Sequence, residues 1–202
     1  AGRVRADAGG VILNPDTHEI EAVSFNYEKR KWKALDPAIE KDLQTLESGA
    51  TGEPTIVSYD RARKTWIVAY SSDVTPTTYY LYDRSTRKLT RLFTANPKLA
   101  GYTLAKMKPV IIKSRDGLDL VSYLTLPEGL QPQKLPMVLL VHGGPWARDS
   151  WGYDAQAQWL ANRGYAVLQV NFRGSTGFGK KFLHAGDREW GRKMHDDLID
   201  AV

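Results

Sequence analysis

The pattern of apolar and polar positions changes once along the chain. Up to about Asn96 the apolar and aromatic residues come in short runs of period two: Val23, Phe25 and Tyr27 alternate with Ser24 and Asn26, and Trp66, Val68 and Tyr70 alternate with Ile67 and Ala69. Successive side chains of a strand point to opposite faces, so these runs predict strands with two differently packed faces. The Asp, Asn, Pro and Gly residues between them supply turns. Three stretches share one grammar of strand, polar turn, strand: NPDTHEIEAVSF from Asn14, YDRARKTWIVAY from Tyr59 and YDRSTRKLTRLF from Tyr82. Sliding Glu21 onto Trp66 superposes the first two with a shift of about 45 residues, in the range of a four-stranded propeller blade. The first half is therefore expected to be the end of a β-propeller, although the same strands could form a small independent β-sandwich. Within it, Pro37 to Glu47 sets Ile39, Leu43 and Leu46 at helical spacing and predicts an inserted helical turn or short helix.

After Asn96-Pro97 the grammar changes. PVIIKSRDGLDLVSYLTLPEG, from Pro109, predicts a hairpin turning at Asp116-Gly117. Met137 to Val141 is a continuous apolar run, as expected of a strand covered by helices on both faces. DAQAQWLANRG follows, with Asp154 as N-cap, an apolar face through Trp159 and Leu160, and Gly164 as the stop. A second buried strand, YAVLQVNF from Tyr165, completes the strand, helix, strand order of a parallel crossover. A last helix is predicted with Asp187 as N-cap and Trp190, Met194, Leu198 and Val202 along one face.

Composition narrows the possibilities. With 202 residues, 42% hydrophobic and 25% charged, the chain can build real cores. Its net charge of +5 is scattered, so no nucleic-acid partner is expected. The absence of cysteine removes disulfides, zinc-thiolate sites and cysteine nucleophiles, and is compatible with cytoplasm or periplasm alike. No apolar run approaches the roughly 18 residues that would span a bilayer, and no membrane association is expected. The opening AGRVRADAGG has neither an initiator Met nor an apolar leader core, and reads as a trimmed start.

The strongest chemical signal is His142-Gly143-Gly144-Pro145-Trp146, directly after the apolar strand. In α/β-hydrolases the loop in this place supplies an oxyanion-hole N–H, and glycine lets the backbone approach a substrate carbonyl. Other constellations carry less. GSTGFGKK, Gly174 to Lys181, nearly matches a phosphate-binding P-loop, but Lys181 stands where Ser or Thr must hold Mg²⁺, and no helix able to cradle phosphate at its N-terminus is expected there, since the stretch soon breaks at Gly186. His184, His195, Asp196 and Asp197 lack metal-ligand spacing, and the HDD stretch reads as solvated charge, so no cofactor or metal is expected. Trp146, Trp151 and Tyr153 could line a pocket or pack the loop onto the sheet.

LPMVLLVHGGPWARD, GYAVLQVNFRGSTGFGKKF and GDREWGRKMHDDLIDAV together resemble consecutive blocks of the prolyl oligopeptidase family of serine peptidases, above all its acylaminoacyl-peptidase-like branch. RDGLDLVSYLTLPEG is similar to the segment opening that family's hydrolase sheet. The resemblance is specific from about Lys108 to Val202. It implies a serine hydrolase cleaving short or N-acylated peptides, with a propeller limiting access. It also implies a serine on a G-x-S-x-G elbow followed by Asp and His, all downstream of the point where this chain ends. No G-x-S-x-G occurs here, so Ser175 is not that nucleophile, and His142 precedes it and is not the base.

The expected fold class is thus an all-β propeller fragment, residues 1–106, followed by α/β, residues 107–202, as the start of an α/β-hydrolase domain truncated before its elbow. No catalytic residue is expected in the chain. The oxyanion donor is expected at Gly144, with Gly143 second. The resemblance also implies a hydrolase strand order 1-2-4-3-5, which leaves the Met137 to Val141 edge open to self-association. An esterase or lipase of the same fold, or a non-catalytic propeller binding module, are the other readings.

Overall fold

The alternating runs pair antiparallel in two sheets. The structure is a computed structural model that describes residues 5–202; the first four residues of the stretch read as lacking a leader core lie outside the described residues. The first sheet joins β1 (Ala8–Leu13), β2 (Ile20–Asn26) and β3 (Arg30–Ala34), and the second joins β4 (Glu53–Tyr59), β5 (Thr65–Ser71), β6 (Thr78–Asp83) and β7 (Lys88–Thr94) as a meander. The three repeated turns are closed by short polar side chains. Asn14 Oδ1 accepts from the N–H groups of Asp16 and Thr17, Asp60 Oδ1 from Thr65 N–H, and Asp83 Oδ1 from Ser85 and Thr86 N–H. None of the sheets closes on itself among the described residues.

Between the two sheets lies α1 (Pro37–Gly49), the expected short helix carried two residues further. Asp36 caps it, its Oδ1 accepting from Ala38 N–H at 2.7 Å, and Pro37 sits where no N–H is needed. Its apolar stripe Ile39, Leu43 and Leu46 packs with Trp66, Val68, Tyr70 and Tyr82 into one buried cluster. Both tyrosine hydroxyls entering this core are paired, Tyr70 donating to Leu46 O at 2.6 Å and Tyr82 to Asp42 Oδ1 at 2.9 Å, whereas Trp66 Nε1 meets no acceptor among the described residues. In β5 the buried face is Trp66, Val68 and Tyr70, as the alternation predicts. In β2 the buried residues are Ala22, Ser24 and Glu21, the last paired with Arg63, while Val23 and Phe25 are half-buried.

The third sheet has the order β8 (Met107–Lys113), β9 (Asp119–Thr125), β11 (Ala166–Val170), β10 (Met137–Leu140), as expected for its four strands. The β8–β9 turn is closed by Gly117 N–H donating to Ser114 O and Ser114 N–H to Leu118 O. β10 and β11 run parallel, joined through α2 (Ala155–Ala161), and β11 pairs antiparallel with β9. Asp154 caps α2, accepting from Ala157 N–H at 2.7 Å. β11 is buried throughout. β10 is not covered as its unbroken apolar run suggested, Met137 being 39% exposed, because it is an edge strand with no partner beyond it among the described residues.

Two helix expectations need correction. α2 buries Ala157, Gln158 and Ala161, and Trp159 faces outward, because close helix–sheet packing takes the small side chains. The last helix, α4, spans Lys193–Asp200 rather than starting at Asp187. Arg188 and Gly191 adopt positive φ, and Asp187 pairs with His184, so residues 186–192 form turns in which Trp190 is exposed. No helix among the described residues is long and apolar enough to cross a membrane.

The β2–β3 turn is seated on the α/β part. Tyr123 donates to Glu28 O at 2.9 Å, and Lys29 Nζ lies 3.6 Å over the Trp151 ring. Gln158 of α2 clamps the connection: its Oε1 accepts from Ala105 N–H, and its Nε2 donates to Ala105 O and Asp73 O.

Candidate oxyanion-binding site

The chain leaves β10 into a tight turn at His142 to Ala147. Gly144 has φ +132°, and a Cβ there would stand 2.7 Å from Trp146 N, so the position requires glycine. Ala147 N–H donates to Pro145 O at 2.8 Å, Thr176 N–H to Ala147 O at 2.9 Å, and Asp149 N–H to Asn171 Oδ1 at 2.8 Å. The turn is thus tied to the loop after β11. Gly144 itself is exposed, and its N–H donates to no described residue. It borders a cleft of about 310 Å³ lined also by His142, Pro145, Phe172, Trp190 and Met194.

His142 and Ser175, set aside separately on sequence, come together here. The imidazole stacks on the Phe172 ring with centroids 4.7 Å apart. Its Nε2 lies 2.9 Å from Ser175 Oγ and its Nδ1 2.9 Å from Gly143 O. Ser175 is fully buried and donates to Phe172 O at 2.6 Å, so its hydroxyl is committed to the loop. The missed signal was topological: parallel β10 and β11 end side by side, which brings together the residues following each.

The loop after β11 is anchored by Arg173, 3% exposed. Its guanidinium donates to both Asp197 oxygens, at 2.8 and 2.6 Å, and to both Asp116 oxygens, at 2.9 and 2.8 Å. Asp197, read from sequence as solvated charge, is fully buried on the inner face of α4 and also accepts from Arg173 N–H. The hydrogen bonds from Arg173 hold the Asp116 carboxyl well below the usual range, and those to Asp197 raise Arg173 further. Burial pushes the Asp149 carboxyl up, against the attraction of His142.

In the P-loop-like stretch a helix of only five residues, α3 (Lys180–His184), starts after Gly179 and breaks before Gly186. The glycines nonetheless serve packing: a Cβ on Gly177 would meet Arg148 Nη1 at 2.6 Å, and one on Gly174 would meet Met194 Cε at 2.8 Å. Trp151 donates to Met107 O at 2.8 Å and packs the loop, whereas Trp146 stays exposed beside Trp190, ring centroids 6.1 Å apart. Tyr153 lines a separate cleft against α2. Among the described residues no three His, Asp or Glu side chains gather as a metal ion would require.

Residues 151–202 match the model of the prolyl oligopeptidase family. The chain is 56% identical to dipeptidyl aminopeptidase BIII of Pseudoxanthomonas mexicana and 40% identical to dipeptidyl peptidase family member 6 of Caenorhabditis elegans, each alignment covering 98% of this chain. It spans about 30% of the length of these curated relatives. Among solved structures, acylaminoacyl peptidase of Pyrococcus horikoshii superposes over 98% of this chain and 30% of its own, with a TM-score of 0.68 at 19% identity. Dipeptidyl peptidase 4 of Porphyromonas gingivalis does so over 98% and 29%, with a TM-score of 0.67 at 20% identity. The family match and the two relatives aligned almost from end to end agree with the sequence blocks around His142: the chain belongs to the prolyl oligopeptidase family.

Proposed function

We propose that the protein is a serine peptidase that hydrolyses short or N-acylated peptides, and that Gly144 N–H, with Gly143 as second candidate, receives the oxyanion. On this reading residues 1–106 are the C-terminal part of a propeller that restricts access, and 107–202 open the α/β-hydrolase domain. The serine, aspartate and histidine lie in the part of the protein outside these 202 residues. The relatives named for dipeptidyl peptidase activity favour release of dipeptides.

The observation that carries the reading is that Gly144 is exposed and its N–H donates to no described residue, in a turn that only glycine can make beside an open cleft. In the template mechanism serine attacks the scissile carbonyl and negative charge grows on its oxygen. A fixed backbone donor there lowers the barrier because it needs no reorganisation as the charge appears. The buried Ser175 cannot be that nucleophile without breaking its bond to Phe172 O.

Turnover by the full-length protein of dipeptidyl p-nitroanilides, N-acyl amino acid p-nitroanilides and p-nitrophenyl esters tests this. Amide hydrolysis is expected. Ester hydrolysis alone would indicate an esterase of the same fold, and no turnover of any would indicate a binding module.

A further inference from the structure

We propose that a basic cleft on the second sheet binds a small phosphate-bearing anion, a pyrophosphate or a diphosphate ester. The cleft, of about 430 Å³, lies where the first two turns of α1 meet the β4–β5 and β6–β7 turns. Five cations line it, Lys41, Arg63, Lys64, Arg84 and Arg87, against one carboxylate, Asp42. Basic residues that look scattered along the sequence are gathered by the fold, because the meander sets both turns at one end of the sheet and α1 brings Lys41 to the same end.

Two of the five cations are already satisfied. Arg63 donates from Nη1 to Glu21 Oε1 at 2.7 Å, and Arg84 donates from Nε and Nη2 to Asp42 Oδ2 at 2.9 and 2.6 Å. Lys41, Lys64 and Arg87 are exposed, and none of them forms an ion pair with a described residue. Asp60 and Asp83, the carboxylates of the two turns, accept from main-chain N–H groups of their own turns and do not line the cleft. Three positive charges are thus left without a counter-ion around one recess, whose walls concentrate their field. Arg87 has φ +55°, a left-handed conformation that costs a residue with a Cβ and that glycine adopts freely. Arg63, near the end of the other turn, has φ +56°, and there the pair with Glu21 offsets the cost. Arg87 has no such partner among the described residues.

The placement of the three cations favours phosphate over carboxylate. A carboxylate is planar and is met by one guanidinium fork, as Glu21 and Asp42 are here. A phosphate group offers oxygens in several directions and carries up to two charges, so a helix and two turns can meet it at once. The volume falls within the roughly 300–1,000 Å³ of small-molecule sites. The cleft is also remote from Gly144. The β5–β6 connection, at the opposite end of the same sheet, is the part that meets the α/β half, Asp73 Oδ2 accepting from Met107 N–H at 2.8 Å. The inference therefore stands apart from the peptidase reading.

Titration calorimetry of the full-length protein with pyrophosphate and with ADP, in metal-free buffer at fixed ionic strength, tests the proposal. Saturable binding of at least one is expected, and the tighter of the two tells a free diphosphate from its ester. Citrate should bind about tenfold more weakly or less, since it offers carboxylates alone. Arg87→Gly removes the cation and relaxes the backbone, so the melting temperature without ligand should equal or exceed that of wild type while affinity falls about tenfold or more. Lys64→Gln, a surface change, should weaken binding on the same scale. Lys98→Gln removes the same charge beyond the other end of β7 and should change affinity less than about twofold. No saturable binding of either probe, citrate bound as tightly, unchanged affinity in both Arg87→Gly and Lys64→Gln, or an equal loss in Lys98→Gln would overturn the proposal.

Discussion

Arg148 donates to the backbone carbonyl of Tyr27 at 3.0 Å, and with its other terminal nitrogen to Asn26 O at 2.7 Å. A side chain four residues beyond Gly144 therefore grips the β2–β3 turn, and the guanidinium also lies 4.3 Å over the Phe178 ring. Both acceptors are main-chain atoms, so the contact depends on the turn's shape more than on its side chains.

Arg148→Ala should therefore destabilise the full-length protein by about 2 kcal/mol, the usual scale for hydrogen bonds from a charged donor. Arg148→Lys should fall between, because one ammonium cannot reproduce the planar fork. Urea unfolding measures both, and a variant with unchanged midpoint would show that the first sheet is held by other contacts.

The buried Arg173–Asp197 pair makes a sharper case. Removing Asp197 takes away the buried partner of the guanidinium and leaves it the half-exposed Asp116 alone, at a cost near the lower end of the roughly 3–5 kcal/mol of a broken buried pair. Asp197→Ala should therefore destabilise strongly. Replacing both partners with apolar residues should recover a substantial part, since neither charge is then stranded. Thermal melts of the single and double variants decide between this and a merely peripheral pair.

The dependence of stability on pH should have two opposing parts. Asp116 and Glu21 are held below their usual range by Arg173 and Arg63. Their contribution is complete above about pH 4, the unfolded value, and is lost as the pH falls through the lower folded values. Glu53 is shifted the other way, burial outweighing the attraction of Arg30, Lys29 and Arg148. Its ionised form disfavours the folded state above the raised folded value. Glu53→Gln, which can still accept from Arg30 N–H, should raise the melting temperature at pH 7, and the gain should vanish below about pH 4. A gain that persists in acid would point to packing instead.

The outer edge of β10 leads to a prediction for the 202-residue chain expressed alone. Its unpaired N–H and C=O groups can template a strand from another copy, so light scattering should show association that grows with concentration, or hydrogen exchange should show Val138 to Leu140 less protected than β5. A strict monomer with both strands equally protected would contradict it.

Much of this architecture was legible in the chain because strand periodicity survives where one face is covered. The 45-residue spacing from Glu21 to Trp66 matches a step between the central strands of two antiparallel sheets, and the apolar runs at Met137 and Tyr165 flanking a capped helix fall on the parallel crossover. What escaped were features set by partners distant in sequence. Asp197 sits in an HDD run that looks like surface charge, and only Arg173, 24 residues earlier, makes its burial tolerable. Trp159 and Trp190 look like core residues by spacing, yet the sheet accepts Ala157 and Ala161, and a positive φ at Gly191 interrupts the helix that would have buried Trp190. The glycine turn was recognisable from its place after an apolar strand. The meeting of His142 with Ser175 was not, since it depends on the parallel register of β10 and β11.

The central claim is that this chain supplies the oxyanion donor while the nucleophile lies elsewhere in the protein. The most direct measurement is labelling of the full-length protein with a fluorophosphonate, followed by peptide mapping of the adduct. The account predicts one modified serine outside these 202 residues, none at Ser175, and no labelling of the 202-residue chain alone. An adduct on Ser175 or any other serine of this chain, or no adduct anywhere in the full-length protein, would contradict it.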